Sequence, residues 1–178
     1  MLNDEVRKEI AGRIYQCFEQ KTQIPLLNQT YPEIELVDAY HIQEAMLDHM
    51  FIPEASILAR ADWIDPLVEI EIAFVMKERL QGPGVTIAEV IQATDFVLPA
   101  IEIVDFRVAR APGMEVRDTI ADLAAVGGVA LGGNPVSLND IDIRNVRGSL
   151  MINGEVREEG SSAEVLGNPL TAVAWLVN

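Results

Sequence analysis

The 178-residue sequence predicts an α+β fold, a mixed, antiparallel-rich β-sheet roll with peripheral helices. Three observations carry that expectation. The apolar runs VEIEIAFV (68–75), DFVLPAIEIVDF (95–106) and VGGVALGGNPV (126–136) have strand length and β-branched content, with Gly or Pro at or near their borders. GSLMINGEVREEG (148–160) reads as a hairpin, because Asn153-Gly154 suits a type I′ turn between two alternating segments. These strands are mixed with several short helix candidates that read as peripheral, which suggests α+β.

Taken in order, Asn3 and Asp4 can cap a helix over roughly 5–20, where Val6, Ile10, Ile14 and Cys17 recur near helical spacing. TQIPLLNQTYPEIEL (22–36) has prolines and polar breaks and reads as a connecting arm. Asp38 can cap a second helix through Tyr40, Ile42 and Met46. Asp65-Pro66 marks a turn before the first long strand, and LQGPGVT (80–86) a turn after it. Thr86-Ile87-Ala88-Glu89 matches a capping box opening a short helix to Ala93. A small helix is expected from Asp118. Asn168-Pro169 supplies an N-cap and a first-turn proline for a last helix, LTAVAWLV. That helix has neither a glycine cap nor a basic last turn and so looks cut. The length suits one domain, 1–178, with residues 1–50 as an N-terminal helical arm and 51–178 as a β-rich core.

Composition narrows the function. Thirteen basic residues against 28 acidic ones give a formal charge of −15, which argues against nucleic acid or an anionic membrane as partner and is compatible with binding cations. The single cysteine, Cys17, excludes an internal disulfide framework and a cysteine-based zinc site. The N-terminus MLNDEVRKEI lacks the apolar core of a signal peptide, and a cytoplasmic location is expected.

The chemistry concentrates on three acids. Glu69 and Glu71 are two apart in a strand and so share a face. Such a pair usually marks the wet face of an edge strand. Glu102 lies in the second apolar run, among Ile101, Ile103 and Val104, and adjacent strands could bring all three carboxylates to one point. An all-oxygen set of this kind selects Mg²⁺ or Mn²⁺ over zinc.

The run EIEIAFVMKERLQGPGVTIAEVIQATDFVLPAIEIVDFR (69–107) closely resembles the hydratase and decarboxylase branch of the fumarylacetoacetate hydrolase superfamily. YPEIELVDAYHIQ (31–43), DTIAD (118–122), NGEV (153–156) and AEVLGNPLTAVAWL (163–176) extend the resemblance over almost the whole chain. It implies a fold like the C-terminal domain of that superfamily and a Mg²⁺-dependent hydratase acting on a 2-hydroxy-dienoate or 2-oxo-enoate from aromatic meta-cleavage catabolism. A 4-oxalocrotonate-type decarboxylase is the second reading, and a non-catalytic or truncated member serving as an assembly subunit the third. By the same resemblance Glu69, Glu71 and Glu102 are the metal ligands, and Arg107, Asp122 and Leu123 fall at substrate-contact positions. A homo-oligomer, or a complex with a related pathway enzyme, is also implied.

The sequence departs from the family pattern in places. Relatives continue past AVAWL with strands that complete the sheet, so the resemblance implies a sheet that is incomplete in this chain. Relatives carry a segment of a few dozen residues with G-x-K-x-G-L-T and D-Y-G motifs, whose Lys and Asp are the expected acid and base; here YHIQEAM runs almost directly into LDHMFIPEAS. The lysines Lys8, Lys21 and Lys77 have no such context. Leu123 and Val126 stand where relatives usually have Asn and often Ser, and Phe106 replaces a small residue. Arg107 could meet a substrate carboxylate, Asp105 or a neighbouring subunit. His41 reads as a helix-surface residue and His49, beside Asp48, as near the site but not catalytic. Gly127-Gly128 and Gly132-Gly133 fit tight turns or close backbone approach rather than a phosphate loop.

Overall fold

A computed structural model describes residues 1–46, 50–53 and 56–178. The chain mixes helices and strands. Four strands form a sheet in the order β1-β4-β3-β2: β1 (Phe51–Ile52), β4 (Val126–Leu131), β3 (Thr94–Val104) and β2 (Leu67–Met76). β1 runs parallel to β4, with Phe51 opposite Val129. The hairpin forms a separate antiparallel pair, β5 (Arg147–Ile152) and β6 (Glu155–Ser161), with a register irregularity at Leu150/Met151. Its turn residues Asn153 and Gly154 have φ of 54° and 82°, both positive as a type I′ turn demands.

By its contacts the chain divides into two units. The first, Met1–Glu69 with Glu102–Ala130, holds α1 (Asp4–Gln20), α2 (Leu27–Thr30), α3 (Leu36–Glu44) and α5 (Val116–Ala121). The Asn3 side chain accepts from the Val6 N–H and starts α1, which buries Ile10, Ala11, Ile14 and Cys17. These pack with Leu26, Ile34, Ile42, Met46 and Val108 into one apolar cluster. α3 begins three residues earlier than a cap at Asp38 suggests. Glu35 is its N-cap, and Asp38 is the third helical residue, whose carboxylate accepts from the Glu35 N–H. The same carboxylate, fully buried, also takes the Leu2 N–H and the Arg7 guanidinium. α5 is displaced likewise, starting at Val116 with Glu115 and Asp118 forming a capping box. In both helices the acid is the far half of the box rather than the cap itself.

The second unit, Ile70–Ile101 with Leu131–Asn178, holds α4 (Ile87–Ala93), α6 (Pro169–Val177) and the hairpin. Both bonds of the Thr86/Glu89 capping box are present, and the Asn168 side chain accepts from the Leu170 N–H at the start of α6. Val90, Val97, Ile143, Leu170 and Ala174 form its core. The Asn178 side-chain amide donates to the Val85 and Ala174 carbonyls.

Candidate functional site

β2 is an edge strand with β3 as its neighbour, and its first half is exposed: Leu67, Val68 and Ile70 are each more than a third accessible. The apolar composition of this run would suit a buried strand, but an edge position leaves it open. Glu69 and Glu71 are exposed on it, as the bland reading of a wet face would have them. Yet β3 brings Glu102, half-buried, to the same place. The three residues each offer a carboxylate oxygen within 4.8 Å of the others. At that spacing two like charges repel by only about 1 kcal/mol in bulk water and by several times more where the dielectric falls. Exposure therefore makes the cluster tolerable, and what it offers chemically is an all-oxygen donor set open to a hard divalent cation.

Glu69 and Glu102 also line an open pocket of about 370 Å³. Leu67, Val104, Ala124 and Val126 give it an apolar wall, and Phe106 and Arg110 complete it. The Arg110 guanidinium lies over the Phe106 ring, 4.9 Å from its centroid.

The three other residues named from the sequence lie elsewhere. Arg107 and Asp122 are fully buried and face each other. Arg107 Nε donates to Asp122 Oδ1 at 2.6 Å, while the Arg107 and Val108 N–H groups donate to Oδ2 at 2.9 and 3.0 Å. The remaining guanidinium nitrogens donate to the carbonyls of Val126 (2.7 Å) and Asp122 (2.6 Å). Burial pushes the Asp122 carboxyl up, and the guanidinium with these N–H donors pulls it back. Asp105 binds the Ile64 and Asp65 N–H groups instead of Arg107. Leu123 is buried in the helical core. The physical reason is the turn that follows Asp122: Leu123, Ala124 and Ala125 have φ of 54°, 52° and 66°. This left-handed stretch swings Ala124 outward to the pocket while Leu123 turns inward.

Sequence reasoning missed Phe106, Arg110 and Val126 as pocket residues. The signal was there for two of them, since Phe106 and Val126 are positions where the family pattern is broken. His41 is on the surface of α3, 3.5 Å from Glu44, and His49 lies outside the described residues. Lys77 is exposed just past β2.

The chain is 33% identical over 221 aligned positions to a 2-oxo-hept-4-ene-1,7-dioate hydratase of Escherichia coli, covering all of this chain and 82% of the relative. It is 30% identical to a 2-hydroxypent-2,4-dienoate hydratase of Pseudomonas putida, covering 96% of this chain and 93% of that one. A solved structure, the 4-oxalocrotonate decarboxylase from Pseudomonas putida G7 complexed with magnesium and adipate, superposes with a TM-score of 0.87. Its identity is 27%, with 100% of this chain and 81% of that one covered. No protein-family model matches. The chain belongs to the family of the 2-oxo-enoate (2-hydroxydienoate) hydratases and 4-oxalocrotonate decarboxylases. The alignment of 221 positions against 178 residues leaves at least 43 positions of the Escherichia coli relative without a counterpart here. Among the described residues, no helix is long and apolar enough to cross a membrane.

Proposed function

We propose that this protein is a Mg²⁺-dependent hydratase that adds water to a 2-hydroxy-dienoate or 2-oxo-enoate of aromatic meta-cleavage catabolism. The observation that carries the reading is the cluster of Glu69, Glu71 and Glu102 in a chain of this family. These three residues fit the group: they are hard oxygen donors from two neighbouring strands, and they would hold Mg²⁺, or Mn²⁺ in its place. When bound, the ion supplies a Lewis acid for a 2-oxo acid's carboxylate and 2-oxygen. The apolar wall of Leu67, Val104, Ala124 and Val126 suits the hydrocarbon part of such a substrate and limits water around it. The reaction sums to addition of one water, hydroxyl to one carbon of the double bond and hydrogen to the other.

The G-x-K-x-G-L-T and D-Y-G motifs, which hold the expected proton-transfer groups, are absent from the sequence. That absence supports a second reading, a metal-binding family member without turnover that serves as an assembly subunit. The wider superfamily fold and a homo-oligomer, or a complex with a related pathway enzyme, follow from the resemblance and belong to this proposal, as do a single working domain over 1–178, expected from the length, and a cytoplasmic location.

The test has two arms. Calorimetric titration should show Mg²⁺ binding that Glu71→Gln weakens at least tenfold while circular dichroism stays unchanged; equal affinity in the variant would remove the ligand assignment. Loss of the dienoate absorbance of 2-hydroxypentadienoate on addition of Mg²⁺ supports the hydratase. CO₂ release from 4-oxalocrotonate would point instead to the decarboxylase activity named for the structural neighbour. Metal binding with neither reaction, in a protein whose intact mass is 19.6 kDa, favours the assembly subunit.

A further inference from the structure

We infer that Arg110, held over Phe106 in the pocket that Glu69 and Glu102 line, reads a second carboxylate on the substrate, so that this chain favours a dicarboxylate over a monocarboxylate. The inference deepens the proposed function and rests on it in one respect, that the head of a 2-oxo acid sits at the glutamate cluster.

Four observations converge. The first is the distribution of charge in the pocket: Glu69 and Glu102 contribute its acid groups, Arg110 its cation, and the residues between are apolar. A ligand with one carboxylate needs a single compensated end. A dianion entering past two glutamates needs a second cation, and Arg110 supplies it.

The second is what Arg110 is not doing. In a chain with 28 acids to 13 bases, Arg7, Arg60, Arg107, Arg117, Arg144 and Arg157 pair with an acid, while Arg13 bonds the Tyr31 hydroxyl and Arg79 and Arg147, like Arg110, have no carboxylate within 4.0 Å among the described residues; of these only Arg110 lines the pocket. Among the described residues no carboxylate lies within 4.0 Å of the Arg110 guanidinium, although two of them line the same pocket. Its planar fork is thus available to a ligand carboxylate, the group it matches bidentately.

The third is orientation. The Arg110 guanidinium carbon lies 4.9 Å from the Phe106 ring centroid, a cation–π contact that restrains the side chain within the pocket. The fourth is that the backbone leading into Arg110 is pinned. Val108 N–H donates to buried Asp122, Ala109 N–H to the Ile24 carbonyl at 2.9 Å, and Ile24 N–H to the Arg107 carbonyl at 2.8 Å. The stem of Arg110 therefore leaves a fixed point. At about 370 Å³ the pocket lies near the lower end of small-molecule sites, roughly 300–1,000 Å³, which suits a short acyclic di-acid.

The experiment compares wild type, Arg110→Ala, Arg110→Lys and Phe106→Ala. Calorimetry with adipate and with hexanoate, each with and without Mg²⁺, reads recognition without turnover. Kinetics with a seven-carbon 2-oxo-enedioate and a five-carbon 2-hydroxydienoate read it in the reaction. Arg110→Ala should weaken adipate at least tenfold and raise KM for the di-acid by a similar factor, with hexanoate and the mono-acid within twofold. Arg110→Lys should recover part of the loss, because an ammonium keeps the charge without the fork. Phe106→Ala should fall between. Mg²⁺ affinity and Tm of Arg110→Ala should match wild type. Equal effects on mono- and di-acids, or none, overturn the inference. A wild type that binds no Mg²⁺ and hydrates neither substrate overturns the proposed function, and the adipate–hexanoate difference still reads Arg110 by itself.

Discussion

Removing the Asp122 carboxylate should unfold the protein more readily rather than weaken its hold on substrate. In Asp122→Ala the Arg107 guanidinium, fully buried, loses its counter-ion. The Arg107 and Val108 N–H groups lose their acceptor at the same time. Breaking a buried pair by taking one partner typically costs about 3–5 kcal/mol, because the remaining charge stays desolvated. A further liability is local. The left-handed turn Leu123–Ala125 is disfavoured by roughly 1–2 kcal/mol per residue for L-amino acids. It persists because its ends are tied: Arg107 to the Asp122 and Val126 carbonyls, Ala125 N–H to the Asp122 carbonyl, Asp105 N–H to the Ala125 carbonyl. For a chain of this length about 1 kcal/mol moves Tm by roughly 2–4 °C. The expected drop is therefore about 6–20 °C in a calorimetric scan, with Asp122→Asn losing less because it keeps an acceptor. Arg107→Met/Asp122→Leu should regain only part, since the two backbone N–H groups and the Val126 carbonyl stay unpartnered. A Tm within about 2 °C of wild type, with KM raised tenfold, would refute this reasoning and restore Arg107 and Asp122 as substrate contacts.

Other consequences are cheaper to check. Acid should loosen the fold in two places. Asp142, bonded to Arg144 and Asn145, has its carboxyl lowered from 3.8 to about 2. For Asp38, burial acts to raise the carboxyl, but the Glu35 N–H, the Arg7 side chain and the Leu2 N–H together hold it below its ordinary value. Both are depressed acids, so their stabilisation is full above about pH 4 and is lost as pH falls through the lower folded values. In urea titrations Asp142→Asn should flatten the stability–pH curve between about pH 4 and 2; an unchanged slope would exclude its part. Gly127→Ala should destabilise by about 1–3 kcal/mol, since an added Cβ would sit 2.9 Å from Trp63 and 3.0 Å from the Ile103 carbonyl and Asp105. Cys17 is buried, and burial raises its thiol pKa, so alkylation by iodoacetamide should track global unfolding. Rapid labelling of native protein would contradict its place in the helical core.

Local signals were legible wherever a few adjacent residues decide the outcome. Asn3, the Thr86/Glu89 box, Asn153-Gly154 and Asn168-Pro169 act within three residues of themselves, and each does in the structure what its side chain dictates. Asp38 and Asp118 were harder because an acid at the first or the fourth position of a capping box looks alike in sequence; the caps are Glu35 and Glu115, three residues before each acid. The exposure of β2 was legible only in its glutamates, whose alternation suits the wet face of an edge strand, and not in its apolar residues. Strand burial depends on which neighbours exist, and a run as apolar as VEIEIAFV is compatible with an edge or a centre. The glutamate cluster survived that ambiguity, since alternation puts Glu69 and Glu71 on one face in either case and only the partner strand had to supply Glu102.

Arg107 shows how a residue read as a substrate contact can have a structural role as well. A charged residue at a motif position suggests a ligand, but the motif equally serves a backbone that must be held in a costly shape. Three consecutive residues with positive φ, none of them glycine, need such a hold. This gives a final prediction that separates strain from packing. Ala124 is exposed at the centre of the turn, where glycine would relieve the left-handed cost and lose almost no burial. A glycine in an ordinary helix costs about 1 kcal/mol relative to alanine. Ala124→Gly should instead be neutral or stabilising by up to roughly 1 kcal/mol in urea unfolding. It should also partly rescue Asp122→Asn, because a turn with less strain needs less of the Arg107–Asp122 tie. A loss near 1 kcal/mol from Ala124→Gly, with no rescue, would mean that the turn stores no strain and that the buried pair owes its place to packing alone.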